Sequence, residues 1–231
     1  MTPIVDVRPP GGPAAAGADS GAGPGTEPPT GPPAAALARA AVHLRAGRVV
    51  VLPTDTVYGL AALPGVEGAT AALFALKGRA ADVPLAVLCA SPDQALGLAA
   101  EGAVTAEVRR IVDRMWPGPL TLVLPRRPGL GYALGTSDAT IGLRCPDQPV
   151  VRALAAAVGP LATTSANRHG EPTPAAAADV AALFGAGVAL VLDGGPCAAP
   201  PSTVVDATGP HWGVLRDGVV GLADIEAAAR A

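Results

Sequence analysis

Short apolar runs alternate with alanine-rich stretches of helical spacing along most of the chain, and this alternation limits the fold more than any other feature. RVVVLP (48–53), PLAVLCA (84–90), LTLVLP (120–125), TIGLRCP (140–146), PLATTSAN (160–167), VALVLDGG (188–195), STVVDAT (202–208) and WGVLR (212–216) each read as one strand. Residues 34–47, 66–76, 92–99, 104–114, 150–158, 175–184 and 222–230 read as helices. The first puts Leu37, Ala40, Ala41 and Leu44 on one face and stops at Gly47. Strands and helices interleave until three strands run together near the end. That order predicts an α/β fold: a single domain, a twisted mixed β-sheet with flanking helices. With aromatics at 3%, its core must be built from Ala, Val and Leu.

Residues 9–36 break the pattern. Pro, Gly and Ala fill 23 of these 28 positions, a composition that buries little surface and interrupts both kinds of regular structure. We expect residues 1–33 to be a disordered leader and residues 34–231 to be the folded domain. GAGPGT (21–26) follows no strand and opens no helix, so it is not read as a nucleotide loop.

Several function classes are excluded early. A net charge of −3 argues against a protein held to nucleic acid by a basic surface. Cys89, Cys145 and Cys197, like His43, His169 and His211, are scattered and suggest no protein-ligated metal. Three reduced thiols and no basic-then-apolar leader point to the cytoplasm. No uninterrupted apolar run of about 18 residues predicts a membrane span. G-x-x-x-x-G-K-[ST] and G-x-S-x-G are absent, so neither a P-loop nor a nucleophile elbow is present.

Lys77 is the single lysine of the chain. Such a residue is either a surface remnant or a position that demands a compact ammonium. Polar clusters stand at the ends of the apolar runs, where open sheets build ligand sites. They are PTDTVYGL (53–60), KGR (77–79), Arg144 after TIGL, TTSAN (163–167), STVVD (202–206) and Arg216. Taken singly, Asp55 or Asn167 would be read as bonding local backbone.

In order, PTDTVYGL, K-x-R at 77–79 followed by Pro84-Leu85, WPGPLT (116–121), R-x-P (144–146), TSAN (164–167) and STVVD (202–206) resemble the YrdC-domain family, the L-threonylcarbamoyladenylate synthases. The likeness runs from about Ala34 to the C-terminus and looks like the family's single-domain form. It implies a nucleotidyltransferase using ATP as substrate, with Mg2+ expected. L-threonine and bicarbonate give an N-carboxylated threonine, whose carboxylate attacks the α-phosphate of ATP. Pyrophosphate leaves, and the product passes to a tRNA threonylcarbamoyltransferase; direct tRNA binding stays open.

The resemblance also assigns residues. Lys77 and Arg79 would be the catalytic pair at the phosphates. Thr140, Ser165, Asn167, Thr173 and Arg216 would join them around ATP. Thr54, Arg144, Thr163 and Ser202 would hold threonine, with the planar fork of Arg144 on its carboxylate. The sequence departs from the family at Ala80, at Leu88 where a histidine is common, at Arg168-His169-Gly170 and at Pro201. Trp116 and Pro117 read as packing and turn residues. The glycine-flanked segment 128–138 has hinges for a closing loop. Two other readings stand beside this one: a YrdC-like carbamoyl-transfer enzyme with another substrate, and a non-catalytic RNA-binding or ribosome-maturation factor.

Overall fold

The computed structural model describes residues 1–8, 33–78, 83–136 and 138–230. In chain order the elements are β1 (Ile4–Asp6), α1 (Ala34–Arg45), β2 (Val50–Leu52), β3 (Gly59–Ala62), α2 (Ala69–Lys77), β4 (Ala86–Leu88), α3 (Pro92–Leu96), α4 (Ala106–Met115), β5 (Leu120–Pro125), β6 (Thr140–Arg144), α5 (Pro149–Val158), β7 (Leu161–Ser165), α6 (Ala177–Phe184), β8 (Leu190–Asp193), β9 (Thr203–Asp206), β10 (Gly213–Arg216) and α7 (Leu222–Arg230). The strands form one mixed sheet in the order β1-β8-β2-β3-β7-β4-β6-β5-β9-β10.

Two expectations need correction. The leader was read as disordered through residue 33, but Ile4–Asp6 pair in parallel with Val191–Asp193 and start the sheet. Residues 9–32 lie outside the described residues. GLAA (59–62) was not read as a strand, yet it pairs antiparallel with both β2 and β7. Three of its four residues are Gly or Ala and all four are buried, so neither alternation nor β-branching marks it.

Each face of the sheet is covered differently. On one, Leu60, Val87, Leu122, Leu124, Ile141, Leu143 and Val205 pack with Leu73 of α2, Ile111 of α4, Val180 of α6 and Ile225 of α7. On the other, α1 and α5 lay Ala40, Leu44, Val151 and Leu154 over Val50, Leu52, Leu88, Leu161 and Leu190. Among the described residues this second cluster holds none from β5, β6 or β9. That half of the face stays without an apolar cover. Side chains there are half-buried at Ala86, Val123, Gly142, Val204 and Asp206, while their strand neighbours are buried.

Candidate active site

Residues paired across a sheet point to the same face. Ala61, Thr163, Ala86, Gly142, Val123 and Asp206 therefore form one row across six strands. Ser165 lies two positions beyond Thr163, and Arg144 two beyond Gly142, on that same face. Thr121, Val204 and Arg216 continue it to the sheet edge. The floor is made of small side chains, the walls of hydroxyls, amides and cations. One open trough thus gathers most of the clusters that the sequence scatters over more than 150 residues.

At one end stands Lys77, the last residue of α2, which stops at Gly78 with φ at +63°. Lys77 is not a surface remnant: it is only 4% exposed. Its Nζ donates to the Ser165 carbonyl at 2.8 Å, to Ser165 Oγ at 2.9 Å and to Asn167 Oδ1. Thr173 Oγ1 also donates to Asn167 Oδ1, at 3.3 Å. Asn167 in turn clasps the carbonyls of Arg168 and Glu171, and the His169 amide donates to the Lys77 carbonyl. Asn167 does bond local backbone, as its type suggests, and also accepts from the lysine. Arg79 lies outside the described residues.

A second group forms around Arg144, 5% exposed. Its Nε donates to the Gly118 carbonyl at 3.1 Å, Nη1 to Thr56 Oγ1 at 3.2 Å and Nη2 to Asp55 Oδ1 at 2.5 Å. Burial pulls this guanidinium down from its ordinary value, and Asp55 opposes the pull. Strands β7 and β4 lie between β3 and β6, so the 53–58 loop arches over the face to make this contact. Asp55 was read as a local backbone partner; instead it is an ion-pair partner from a distant strand end. Its other oxygen, Oδ2, is buried with no hydrogen-bond partner.

Thr54 builds the arch. Its Oγ1 donates to the Val57 carbonyl at 2.6 Å and accepts from the amides of Thr56 and Val57. It also lies 3.0 Å from Thr56 Oγ1. The hydroxyl is occupied within its own turn, an ST-type arrangement that presents Asp55 and Thr56. From below, Tyr58 fixes the arch: its hydroxyl donates to the Gly195 carbonyl at 2.7 Å and lies 3.2 Å from Asp193 Oδ1.

The third group is at the edge. Arg216 wraps Ser202, donating to its carbonyl from Nε and Nη2 and to its Oγ at 2.8 Å. Ser202 Oγ is 3.1 Å from Thr121 Oγ1. Thr163 Oγ1 donates to the Leu60 carbonyl at 2.9 Å, against the Cα side of Gly59, where a Cβ would come within 3.0 Å of it. Thr140 is half-buried opposite Pro125.

The structure thus joins Lys77, Ser165, Asn167 and Thr173 in one group and Ser202 with Arg216 in another. Arg144 stands in a third, with Asp55, Thr56 and Gly118, which the sequence reading did not include. The position of Gly118 follows from the WPG turn. Trp116 is buried, its Nε1 donates to the Leu120 carbonyl at 2.8 Å, and the Gly118 amide donates to the Cys145 carbonyl. Leu88, where a histidine is common, is in the second apolar cluster beside Arg144. Within 128–138 several described residues are tied to the rest of the fold. Leu134 is buried and accepts from the Leu85 amide, and Arg126 grips both Asp138 and the Tyr132 carbonyl.

Among the described residues no group of three or more His, Cys, Asp or Glu could hold a metal ion, and no helix is long and apolar enough to cross a membrane. Residues 42–218 match the Sua5/YciO/YrdC family, described as "Telomere recombination". A Mycobacterium tuberculosis protein is 41% identical over 178 residues, 77% of this chain and 81% of its own length. The threonylcarbamoyl-AMP synthase of Pyrococcus abyssi is 37% identical over 189 residues, 81% of this chain and 55% of the longer relative. A crystal structure of P. abyssi Sua5 complexed with L-threonine superposes with a TM-score of 0.82 and 32% identity, covering 98% of this chain and 61% of that one. The polar trough, the helices on its reverse and the strand-end motifs are therefore those of a Sua5/YciO/YrdC domain, and the chain belongs to that family.

Proposed function

We propose that the protein is a threonylcarbamoyl-AMP synthase, converting L-threonine, bicarbonate and ATP to threonylcarbamoyl-AMP and pyrophosphate. The observation that carries this reading is the half of one sheet face that the described residues leave without an apolar cover, on which Arg144 and Arg216 stand and at whose end Lys77 is held. ATP and bicarbonate are anions and threonine carries a carboxylate, and charge accumulates on phosphoryl oxygens as the new P–O bond forms. Such a reaction needs fixed cations and positioning more than covalent help.

The threonine ammonium gives a proton to solvent, and its nitrogen then bonds the carbon delivered by bicarbonate, giving a carbamate and water. A carbamate oxygen then displaces pyrophosphate from the α-phosphorus. Lys77 meets the phosphates by exchanging its bonds to the neutral Ser165 and Asn167 side chains for bonds to anionic phosphate oxygens. Arg79 acts beside it. Thr140, Ser165, Asn167, Thr173 and Arg216 hold the nucleotide, and Arg144, Thr163 and Ser202 the amino acid. Thr54 serves through the turn it ties. Mg2+ would enter with the triphosphate and offset its charge, and no step is assigned to it. The product then goes to a tRNA threonylcarbamoyltransferase in the cytoplasm.

The test is a chromatographic assay with ATP, Mg2+, bicarbonate and L-threonine, each omitted in turn. Pyrophosphate release and a new adenylate peak that both require threonine and bicarbonate are the expected result. ATP binding that threonine leaves unchanged would refute the synthase and favour carbamoyl transfer to another substrate. Salt-sensitive RNA binding without either substrate would favour the RNA-binding reading.

A further inference from the structure

Asp55 presents a buried carboxylate oxygen that accepts nothing. Among the described residues one other buried side-chain atom, His43 Nδ1, shares that state. A buried acceptor without a donor is costly, and near a binding face it marks the place of a donor that the ligand brings. The chemistry of the neighbours identifies the donor. Oδ1 of the same carboxylate is spent on Arg144, 2.5 Å away. The pair is close to neutral, so its remaining oxygen suits an N–H donor better than a divalent cation.

An α-amino acid carries its ammonium one carbon from its carboxylate. If Arg144 takes the carboxylate, the group that takes the ammonium must stand beside that guanidinium. Three acceptors do: the Gly118 carbonyl, Thr56 Oγ1 and Asp55. The first two already accept from Arg144. Thr54 Oγ1, next along, is occupied within its turn. Asp55 Oδ2 is the acceptor with a vacant lone pair, on a side chain that is 14% exposed as a whole.

We propose that Asp55 Oδ2 accepts a hydrogen bond from the α-ammonium of the amino-acid substrate, so that Asp55 and Arg144 together recognise a zwitterion. This rests on the synthase reading and on Arg144 as the carboxylate partner. The contact also positions the nitrogen, which bonds to carbon once the ammonium has given a proton to solvent. It distinguishes amino acids from hydroxy acids of the same shape, which bring no ammonium.

The test is isothermal titration of the full chain with L-threonine, with 3-hydroxybutanoate of matching C3 configuration, and with MgATP. The variant is Asp55→Asn, which keeps an acceptor for Arg144 and turns the other atom into a donor. In the wild type, L-threonine should bind at least about tenfold tighter than 3-hydroxybutanoate. In Asp55→Asn that preference should vanish while MgATP affinity holds. Threonine binding unchanged by the substitution overturns the inference, as does a selective loss of MgATP, which would make Oδ2 a metal ligand. A wild type that binds no threonine refutes the synthase reading instead. Should Asp55→Asn not fold, a crystal of the wild type with L-threonine decides: a nitrogen within about 3.2 Å of Oδ2 supports the contact, and one turned away from Asp55 overturns it.

Discussion

Removing the Asp55 carboxylate should destabilise the fold itself, because Arg144 would then keep its charge in a buried site. Asp55→Ala leaves the guanidinium with one hydroxyl and one carbonyl, both neutral. Breaking a buried pair by deleting one partner costs about 3–5 kcal/mol, mostly from the stranded charge. Side-chain exposures of 6% for Arg144 and 14% for Asp55 let a little water reach the pair, so the lower end, about 3 kcal/mol, applies. For a chain of this size each kcal/mol moves Tm by about 2–4 °C, giving a fall of about 6–12 °C. Arg144→Met should cost a similar amount by stranding the carboxylate. The double variant strands neither group and should be no less stable than either single one, a coupling of at least about 3 kcal/mol. Thermal melts of the four proteins by circular dichroism close the cycle. A shift below about 2 °C for Asp55→Ala, or strictly additive losses, would refute the argument that burial makes this pair interdependent.

Other outcomes follow from single contacts. Lys77→Ala should lower the rate of adenylate formation by at least about 100-fold while far-UV circular dichroism stays native, since its role is charge stabilisation; full activity would remove Lys77 from the phosphate site. Gly218→Ala would place a Cβ 2.3 Å from the Pro201 carbonyl and 2.5 Å from the Ser202 carbon. The backbone around Ser202 must then move, at a cost of about 1–3 kcal/mol in a denaturant titration and with weaker ATP binding. Tyr58→Phe should cost about 1–3 kcal/mol by removing the hydroxyl that donates to the Gly195 carbonyl and accepts from the Gly194 amide, read as a lower Tm. Burial raises the Cys89, Cys145 and Cys197 thiols above their ordinary value of 9.0, and raises Tyr58 as well. The unfolded chain releases these protons first, so the stabilisation is complete below pH 9 and declines as pH rises toward the folded values. Melts across pH 8 to about 10.5 should show Tm falling above about 9; a flat profile would contradict the burial argument.

Much of this protein was legible along the chain because it depends on local periodicity. The alternating apolar runs placed eight strands, and helical spacing with glycine stops placed the helices between them. The ordered strand-end motifs pointed to Lys77, Ser165, Asn167 and Arg144, whose residue types suit anionic reactants. What escaped was decided by pairing at a distance. Three residues of the N-terminus became a strand because β8 offers an open edge, which no local propensity encodes. The small residues of β3 are strand because β2 and β7 flank them. Thr54 reads as a ligand residue by motif, but its hydroxyl is taken by the turn it closes. Asp55 reads as a turn residue by type, yet the arch sets it against a guanidinium 89 positions away. A side chain's type determines what it can bond, and that much is written in the sequence. Which bond it makes depends on which partners the sheet brings within about 3 Å, and only the tertiary structure decides that.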